Sequence, residues 1–577
     1  MKKNFYWIAG LALLTAVFLV TFYSIKDTKK VSVQKNSEDY IVNASSDSLE
    51  KNSAKKISNN TMKTVEAKEE TVEDTEKNGS EIFAYKKVKE LEFTEAVLAD
   101  DDIEGNFFDE SGKDAVDKVS SDENSLPEKY DSRDVDGKSF VTGARDQGYT
   151  YLCWAYACAG AMESDLIIHN DEISADNINL SEKHLGYYNM HSATGSKNNL
   201  IDDDYRELVN RDNENNAWIF DYDTGYVSVG GVTDYCASIL TAWKGPVADS
   251  GTDAFKTLYG MEAVFKDNAD KPSDAYKCDY HVQGVYQIPC SMDNMEEVKQ
   301  LIMEHGSVTG SINADDKFWR NNYTDLYDYE SYGGDNIADH EILIVGWDDN
   351  YPKDNFVVSP PENGAFIARN SWGTAFGEAG FFYISYYDSI VTNNNIVAYH
   401  VASKGDDDYF DNNYQVDGFI TNTVSALEDK KNIVYAEEAN TNPYGVLYDV
   451  EDGAEVIKAV GLWSMETGQS FEVRIYKNPE VKDNKIFFDE LEDAASTSVV
   501  KAATAGFHTF MLEDEVSMAK GDSFLCMVIP LNEGKLLYEK EIDFTGDANY
   551  DEWNNLTGNI HTHNTASKRS FYLSEDG

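Results

Sequence analysis

Residues 147–156 read QGYTYLCWAY, and the fold turns on the run that begins at Cys153. That run, CWAYACAGAMESDLII, is apolar on nearly every face. A helix without a polar face belongs in the centre of a domain, packed on all sides. Cys153 stands at its start, after a turn containing Gly148 and two tyrosines. There the positive end of the helix dipole favours thiolate over thiol. Cys158, one turn further in, gets no such help and reads as an inert core thiol. A cysteine in an apolar helix is often mere filler, so a nucleophile needs partners elsewhere in the chain.

A thiolate nucleophile needs a proton acceptor, and the acceptor needs a group to orient it. Ten histidines are available. His340 is set apart by ADHEILIVGWDD, where EILIVGW reads as a buried strand that would hold the ring on a rigid element. Downstream, GAFIARNSWGTAFGEAGFFYISY places Asn370 at the end of another apolar strand, two residues before Trp372. An asparagine oxygen can accept from one imidazole nitrogen and fix the tautomer, while an indole keeps water off that bond.

Outward from this core, 577 residues leave room for two or three domains. A formal charge of −55 repels nucleic acid and anionic lipid, which argues against both as partners, and suits a well-solvated exported surface. Six cysteines in so long a chain make no disulfide framework. Cys278 and Cys290, close in sequence, are the one plausible pair. No CxxC occurs, so neither a zinc knuckle nor a thioredoxin motif is on offer, and no GxSxG elbow supports a serine hydrolase.

Lys2 and Lys3 precede an apolar run from Phe5 to Ile25, about the 20 residues that cross a bilayer as a helix. Residues 1–26 therefore read as an export signal or membrane anchor. Residues 27–125 are mostly Lys, Glu, Asn, Ser and Thr, a disordered tether whose last part (81–124) could be a pro-segment. A globular pattern spans 126–402. From 412 to 577 come short alternating runs between turn signals; in SFEVRIYKN, Phe471, Val473 and Ile475 share one face of a strand, and the set predicts a β-sandwich.

Taken in order, Gln147, Cys153–Trp154, His340 and Asn370–Ser371–Trp372–Gly373 resemble the papain-like cysteine peptidases. YDSRD at Tyr130–Asp134 resembles their mature start, and Leu180–Ser181–Glu182 their LSE segment. Gly230–Gly231 is similar to their substrate-binding glycine pair. HVQGVYQIP and VKQLIMEHGSVTGSINADDKFW resemble their approach to the histidine. The likeness covers roughly 126–400. Looser similarity to the lectin-like β-domains of some bacterial surface proteins runs through YQVDGFITN, IKAVGLWS, EVRIYKN and GFHTFMLEDEVSMAKGDSFLCMVI.

The resemblance implies an α+β, two-lobed peptidase (a helical lobe plus a β-barrel-like lobe) followed by an all-β sandwich. It implies Cys153 as nucleophile, held as a thiolate beside protonated His340, with Asn370 orienting the ring and Trp372 shielding it. Gln147 and the Cys153 backbone N–H would form the oxyanion hole. Gly230, Gly231, Asp339 and Glu341 would contact substrate, and the Glu341 carboxylate would favour a basic side chain. No metal or cofactor is required; calcium in the C-terminal domain is the one ion the likeness suggests, although no EF-hand loop is present. Peptide or protein substrates and a cell-surface or carbohydrate ligand are the implied partners. His561 and His563 lack a third ligand, and the Asp202–Asp204 and Asp406–Asp408 runs read as solvated loops.

The chain departs from the family at three places. Thr150 and Tyr151 stand where Cys and Gly are usual, so the loop before Cys153 loses a disulfide and would be held by packing alone. Cys153 and His340 lie 187 positions apart, beyond the ~130–150 of papain-type enzymes. The surplus is read as an insertion in HSATGSKNNLIDDDYRELVNRDNENN, and DNYPKDNFVVSPPENG as a lengthened hairpin. A transglutaminase-type acyl transferase would share the chemistry. A catalytically inactive surface-binding protein that works through its β-domain is the alternative from another class; the intact Gln, Cys, His and Asn set argues against it.

Overall fold

The structure, a computed structural model, describes residues 126–190, 205–207, 226–228, 231, 233–268, 270–331, 337–415, 424–427, 431–434, 443–451, 453–531, 542–543, 559–562 and 570–572. The N-terminal apolar run, the tether, Gly230, Asp202–Asp204, His563 and most of the expected insertion lie outside them. No helix among the described residues is long and apolar enough to cross a membrane.

The helix predicted from Cys153 spans Cys153–His169, and every residue from Trp154 to Ile167 is buried. It packs on the strands His340–Asp348 and Asn395–Ala402. On its other side lie the helices Glu182–Met190 and Thr233–Thr241. One core therefore joins Trp154, Cys158, Met162 and Leu166 to Leu185, Tyr188, Ile239 and Leu240. A second core lies across the sheet, where Trp347, Phe366, Phe382 and Ile384 meet Ile302, Val308 and Ile396. Each large apolar side chain fully buried there contributes roughly 1.5–3 kcal/mol. Two cores give two lobes, one rich in helix and one in strand, as expected of the α+β fold.

His340–Asp348 sits between Val308–Ile312 and Ala365–Arg369, antiparallel to both. The lengthened loop closes a hairpin whose strands pair Leu343 with Arg369 and Asp348 with Ala365. Lys129–Asp131 adds a short edge by pairing with Gly346–Asp348.

The C-terminal region is a sandwich. Its five-stranded layer runs Ser496–Lys501, Ser470–Lys477, Ser523–Leu531, Tyr444–Asp449, Ser570–Tyr572. The facing hairpin pairs Glu455–Ser464 with Ala505–Met518. Phe471, Val473 and Ile475 point into the space between, against Phe510, Leu512 and Val516. The second layer is not self-contained. Ala505–His508 pairs with Gly284–Gln287, so it extends the peptidase-like sheet to eleven strands. Gly506 makes this approach possible: at φ +111° its missing Cβ would lie 1.9 Å from the Val285 carbonyl oxygen. Trp463 and Phe507 then pack into the first core, and Thr509 donates to Gln283 at 3.0 Å. Tyr205–Glu207, inside the expected insertion, pairs with Asn559–His561.

Two expectations fail. Cys278 and Cys290 are both free thiols, as are the other four cysteines. They flank the nine-residue strand His281–Pro289, whose rise of ~3.3 Å per residue holds them about 30 Å apart, far beyond a disulfide. The Asp406–Asp408 run is not wholly solvated, because Asp408 is buried and bonds His400 at 2.7 Å.

Candidate active site

The loop before Cys153 is held by hydrogen bonds, not by packing alone. The Thr150 hydroxyl donates to the Gln147 carbonyl at 2.8 Å, and the Gln147 side-chain amide returns a bond to the Thr150 carbonyl at 2.7 Å. Tyr149 and Tyr151 donate their backbone N–H to Leu258 and Val227. Thr150 thus bonds across the turn that the family's disulfide would otherwise fasten.

Cys153 opens its helix with no side-chain cap and no acidic residue in the first turn, so no side chain of the helix's own first turn offsets its positive end. Its thiol lies against the backbone N–H of Glu341, the residue after His340. His340 opens its strand opposite Ile312. Its Nε2 lies 2.8 Å from Asn370 Oδ1, and the same oxygen accepts the Ser371 N–H at 2.7 Å. An amide oxygen can only accept, so Nε2 carries the proton and Nδ1 keeps its lone pair. The Trp372 ring stacks on the imidazole, centroids 4.6 Å apart at 30°. His340 is 8% and Asn370 2% exposed, so their bond is dry.

Burial pushes the Cys153 thiol up to about 12, against the lowering effect of the Glu341 N–H; the charges of Glu341 and Asp339 push it further up. Burial also lowers His340 to about 4, with the Asn370 bond acting the other way. Desolvation therefore favours a neutral thiol beside a neutral imidazole at rest. An ion pair must draw on mutual attraction, the helix dipole and the Asn370 bond.

Gln147 is buried beside this group. Its Oε1 accepts from the Ser371 hydroxyl at 2.6 Å, and its backbone N–H donates to the Ser371 carbonyl at 2.8 Å. With one amide hydrogen on Thr150, the other N–H remains for a ligand. The sequence gives Ser371 no distinct role, although it sits inside the Asn-Ser-Trp-Gly run.

The expected substrate contacts are of mixed character. Gly231 is half-buried, and a Cβ there would meet the Trp154 ring at 2.6 Å, so the glycine makes room for the indole. Asp339 is exposed, and its Oδ1 accepts the Ala314 N–H at 2.8 Å. Glu341 is not a bare surface carboxylate. It is half-buried and accepts from the Thr233 hydroxyl at 2.6 Å and the Ser311 hydroxyl at 2.7 Å. Those hydroxyls come from a distant helix and a neighbouring strand, and no local pattern announces them. Glu182, in the LSE segment, is buried against Arg145, which also pairs with Glu163. Burial raises Glu182 to about 7 despite that cation.

Comparison with known proteins gives this geometry its context. The model of the papain family cysteine proteases matches residues 126–400, and that of the lectin-like domains matches 432–566. A cysteine protease of Blomia tropicalis is 26% identical over 48% of this chain and 66% of its own length. A viral cathepsin of Choristoneura fumiferana defective polyhedrosis virus is 25% identical over 42% of this chain and 55% of its own. The chain thus spans less than two thirds of either relative. Among solved structures, the cysteine protease and lectin-like domains of Cwp84, a surface layer associated protein of Clostridium difficile, superpose with a TM-score of 0.53 at 20% identity. The superposition covers 78% of this chain and 84% of that one. At such identity the likeness speaks for the fold. Family match, shared two-domain architecture and the observed lobes agree: residues 126–400 form a papain-family cysteine protease domain, and a lectin-like domain follows it.

Proposed function

We propose that the protein is an exported endopeptidase that hydrolyses peptide bonds through Cys153, His340 and Asn370. The observation that carries this reading is the dry 2.8 Å bond from His340 Nε2 to Asn370 beneath Trp372. That bond leaves Nδ1 to take the proton of a thiol seated at an uncapped helix start.

In the proposed reaction the Cys153 proton passes to His340 Nδ1, and the sulfur attacks the substrate carbonyl carbon. The oxyanion is held by the free Gln147 N–H and the Cys153 backbone N–H. His340 gives its proton to the departing amine as the C–N bond breaks. It then takes a proton from water, whose oxygen displaces the sulfur and restores the thiol. Asn370 keeps the ring in register while its charge changes. Glu341, with Asp339 and Gly231 nearby, is proposed to border a pocket that prefers a basic side chain.

The same proposal assigns residues 1–26 to export or anchoring, 27–125 to a tether with a pro-segment, 126–402 to the peptidase and 412–577 to the lectin-like domain. Support for export comes from the N-terminal apolar run, the acidic surface and the surface-layer association stated for Cwp84. The C-terminal domain is proposed to hold a cell-surface or carbohydrate ligand, with calcium as its candidate ion; the thiol chemistry itself calls for no cofactor.

The test is covalent. A thiol-directed epoxide should add one mass increment at Cys153 with parallel loss of peptide cleavage, and Cys153→Ala should take up none. A folded, processed chain that cleaves no peptide and stays unlabelled would turn the reading towards the binding-protein alternative.

A further inference from the structure

At the far end of the Cys153 helix, about 18 Å along its axis at 1.5 Å per residue, lies a second group of reactive side chains. Asp165 is fully buried and carries three imidazoles around its carboxylate. His305 Nδ1 lies 2.6 Å from Oδ1, His169 Nδ1 3.1 Å from Oδ1, and His400 Nδ1 3.7 Å from Oδ2. The Val401 N–H donates to Oδ2 at 2.7 Å. The nearest ligand atoms of Asp165, His169 and His400 all fall within 4.8 Å of one another.

We propose that Asp165, His169 and His400 bind one zinc-class divalent cation, with His305 and Asp408 orienting the ligands. Zinc bonds to nitrogen and oxygen are ~2.0–2.2 Å, so the edge of its tetrahedron is about 3.3 Å. His169 Nδ1 lies 3.1 Å from Oδ1 and His400 Nδ1 3.7 Å from Oδ2, and with the three ligand atoms within 4.8 Å of one another the group must contract on binding. His400 also has the outer partner such ligands require: its Nε2 donates to Asp408 at 2.7 Å, which turns Nδ1 towards the Asp165 carboxylate. In the same way the Nδ1–H of His305 supports the ligating carboxylate from behind. His169 Nδ1 also donates to the Asp165 carbonyl at 3.0 Å; on metal binding it would release that proton to solvent, one per chain. Its side chain is 43% exposed, so it can swing inwards to close the remaining distance. Two imidazoles select zinc-like ions over calcium or magnesium, which take oxygen ligands.

The location suggests what the ion does. Asp165 and His169 come from the end of the buried helix, His400 from the strand Asn395–Ala402, and Asp408 from the segment that leaves for the C-terminal domain. A cation here pins that exit segment to the sheet, independently of catalysis.

The test uses the full chain carrying Cys153→Ala, so that the active-site thiol cannot bind metal. After dialysis against chelator-buffered Zn²⁺, one equivalent should remain per chain, and Co²⁺ should give the strong visible bands of a four-coordinate site. His169→Gln with His400→Gln should abolish both, and Asp408→Asn should weaken affinity about 10- to 100-fold. Zinc should also protect His169 and His400 from diethyl pyrocarbonate in the parent chain, a readout that holds if the double variant misfolds. No retained zinc, equal retention in the folded double variant, or unprotected histidines would overturn the proposal.

Discussion

Removing the Asn370 side chain tests the proposed chemistry most sharply. Asn370→Ala deletes the acceptor 2.8 Å from His340 Nε2 in a site where neither residue is more than 8% exposed, so water does not readily replace it. A neutral hydrogen bond contributes ~0.5–1.5 kcal/mol and one to a charged group ~1.5–3. His340 becomes imidazolium only as the thiol loses its proton, so the larger range applies to the reacting state. At ~1.36 kcal/mol per decade, kcat/KM should fall about 13- to 160-fold. The Asn370 bond raises the His340 pKa, so its loss lowers it. Protonation of the resting neutral imidazole then needs a lower pH, so the acid limb of kcat/KM, which reports the free base, should move to lower pH. The assay is a pH series with a fluorogenic peptide, beside a thermal melt to exclude gross unfolding. A fall below about threefold with an unmoved acid limb would refute the assigned role.

Four further substitutions test other contacts. Ser371→Ala frees the Gln147 amide from its 2.6 Å anchor and should lower kcat about 2- to 13-fold with KM unchanged, while Gln147→Ala should cost ~10²–10³. Glu341→Gln removes a charge that raises the Cys153 pKa, so the pH profile of thiol alkylation should move to lower pH, and any preference for basic residues in cleaved peptides should disappear. Gly506→Ala places a Cβ against the Val285 carbonyl at a strained φ and should cost about 2–4 kcal/mol, read as a lower Tm and faster proteolytic separation of the two domains. An unchanged melt would mean the cross-domain strand pairing is dispensable.

The site was legible because its residues stand at the ends of regular elements whose local patterns are strong. The apolar run after Cys153, the strand after His340 and the Asn370 turn each announce a fixed position for one side chain. What was missed is long-range. Thr233 and Ser311 reach Glu341 from separate segments, and neither has a neighbour that signals the contact. Thr150 looked like a lost disulfide because its hydroxyl bond closes on a backbone carbonyl, which every residue possesses. Cys278 and Cys290 looked close because sequence distance says nothing of the strand extended between them. Asp408 was hidden in an acidic run whose other two members, Asp406 and Asp407, are exposed.

The sheet shared by the two domains has a mechanical consequence. From the C-terminal hairpin the strand order passes through His281–Pro289, Asn395–Ala402 and Val308–Ile312 to His340–Asp348. The strand that carries the imidazole and the strand that closes the lectin-like sandwich thus belong to one hydrogen-bonded surface. Packed interiors transmit displacement because they have little free volume. A force on the C-terminal domain therefore reaches Ala505–His508 directly and meets the Asp165 cluster, which ties the exit segment to the Cys153 helix. Cys153 and His340 ride on two elements fastened to each other and to the neighbouring domain. Their separation should consequently be insensitive to whatever the C-terminal domain holds, and a ligand there would alter which substrates are near, not the rate at which a bound peptide is cut. Unequal kcat for a small peptide with the C-terminal domain free and immobilised would contradict that rigidity.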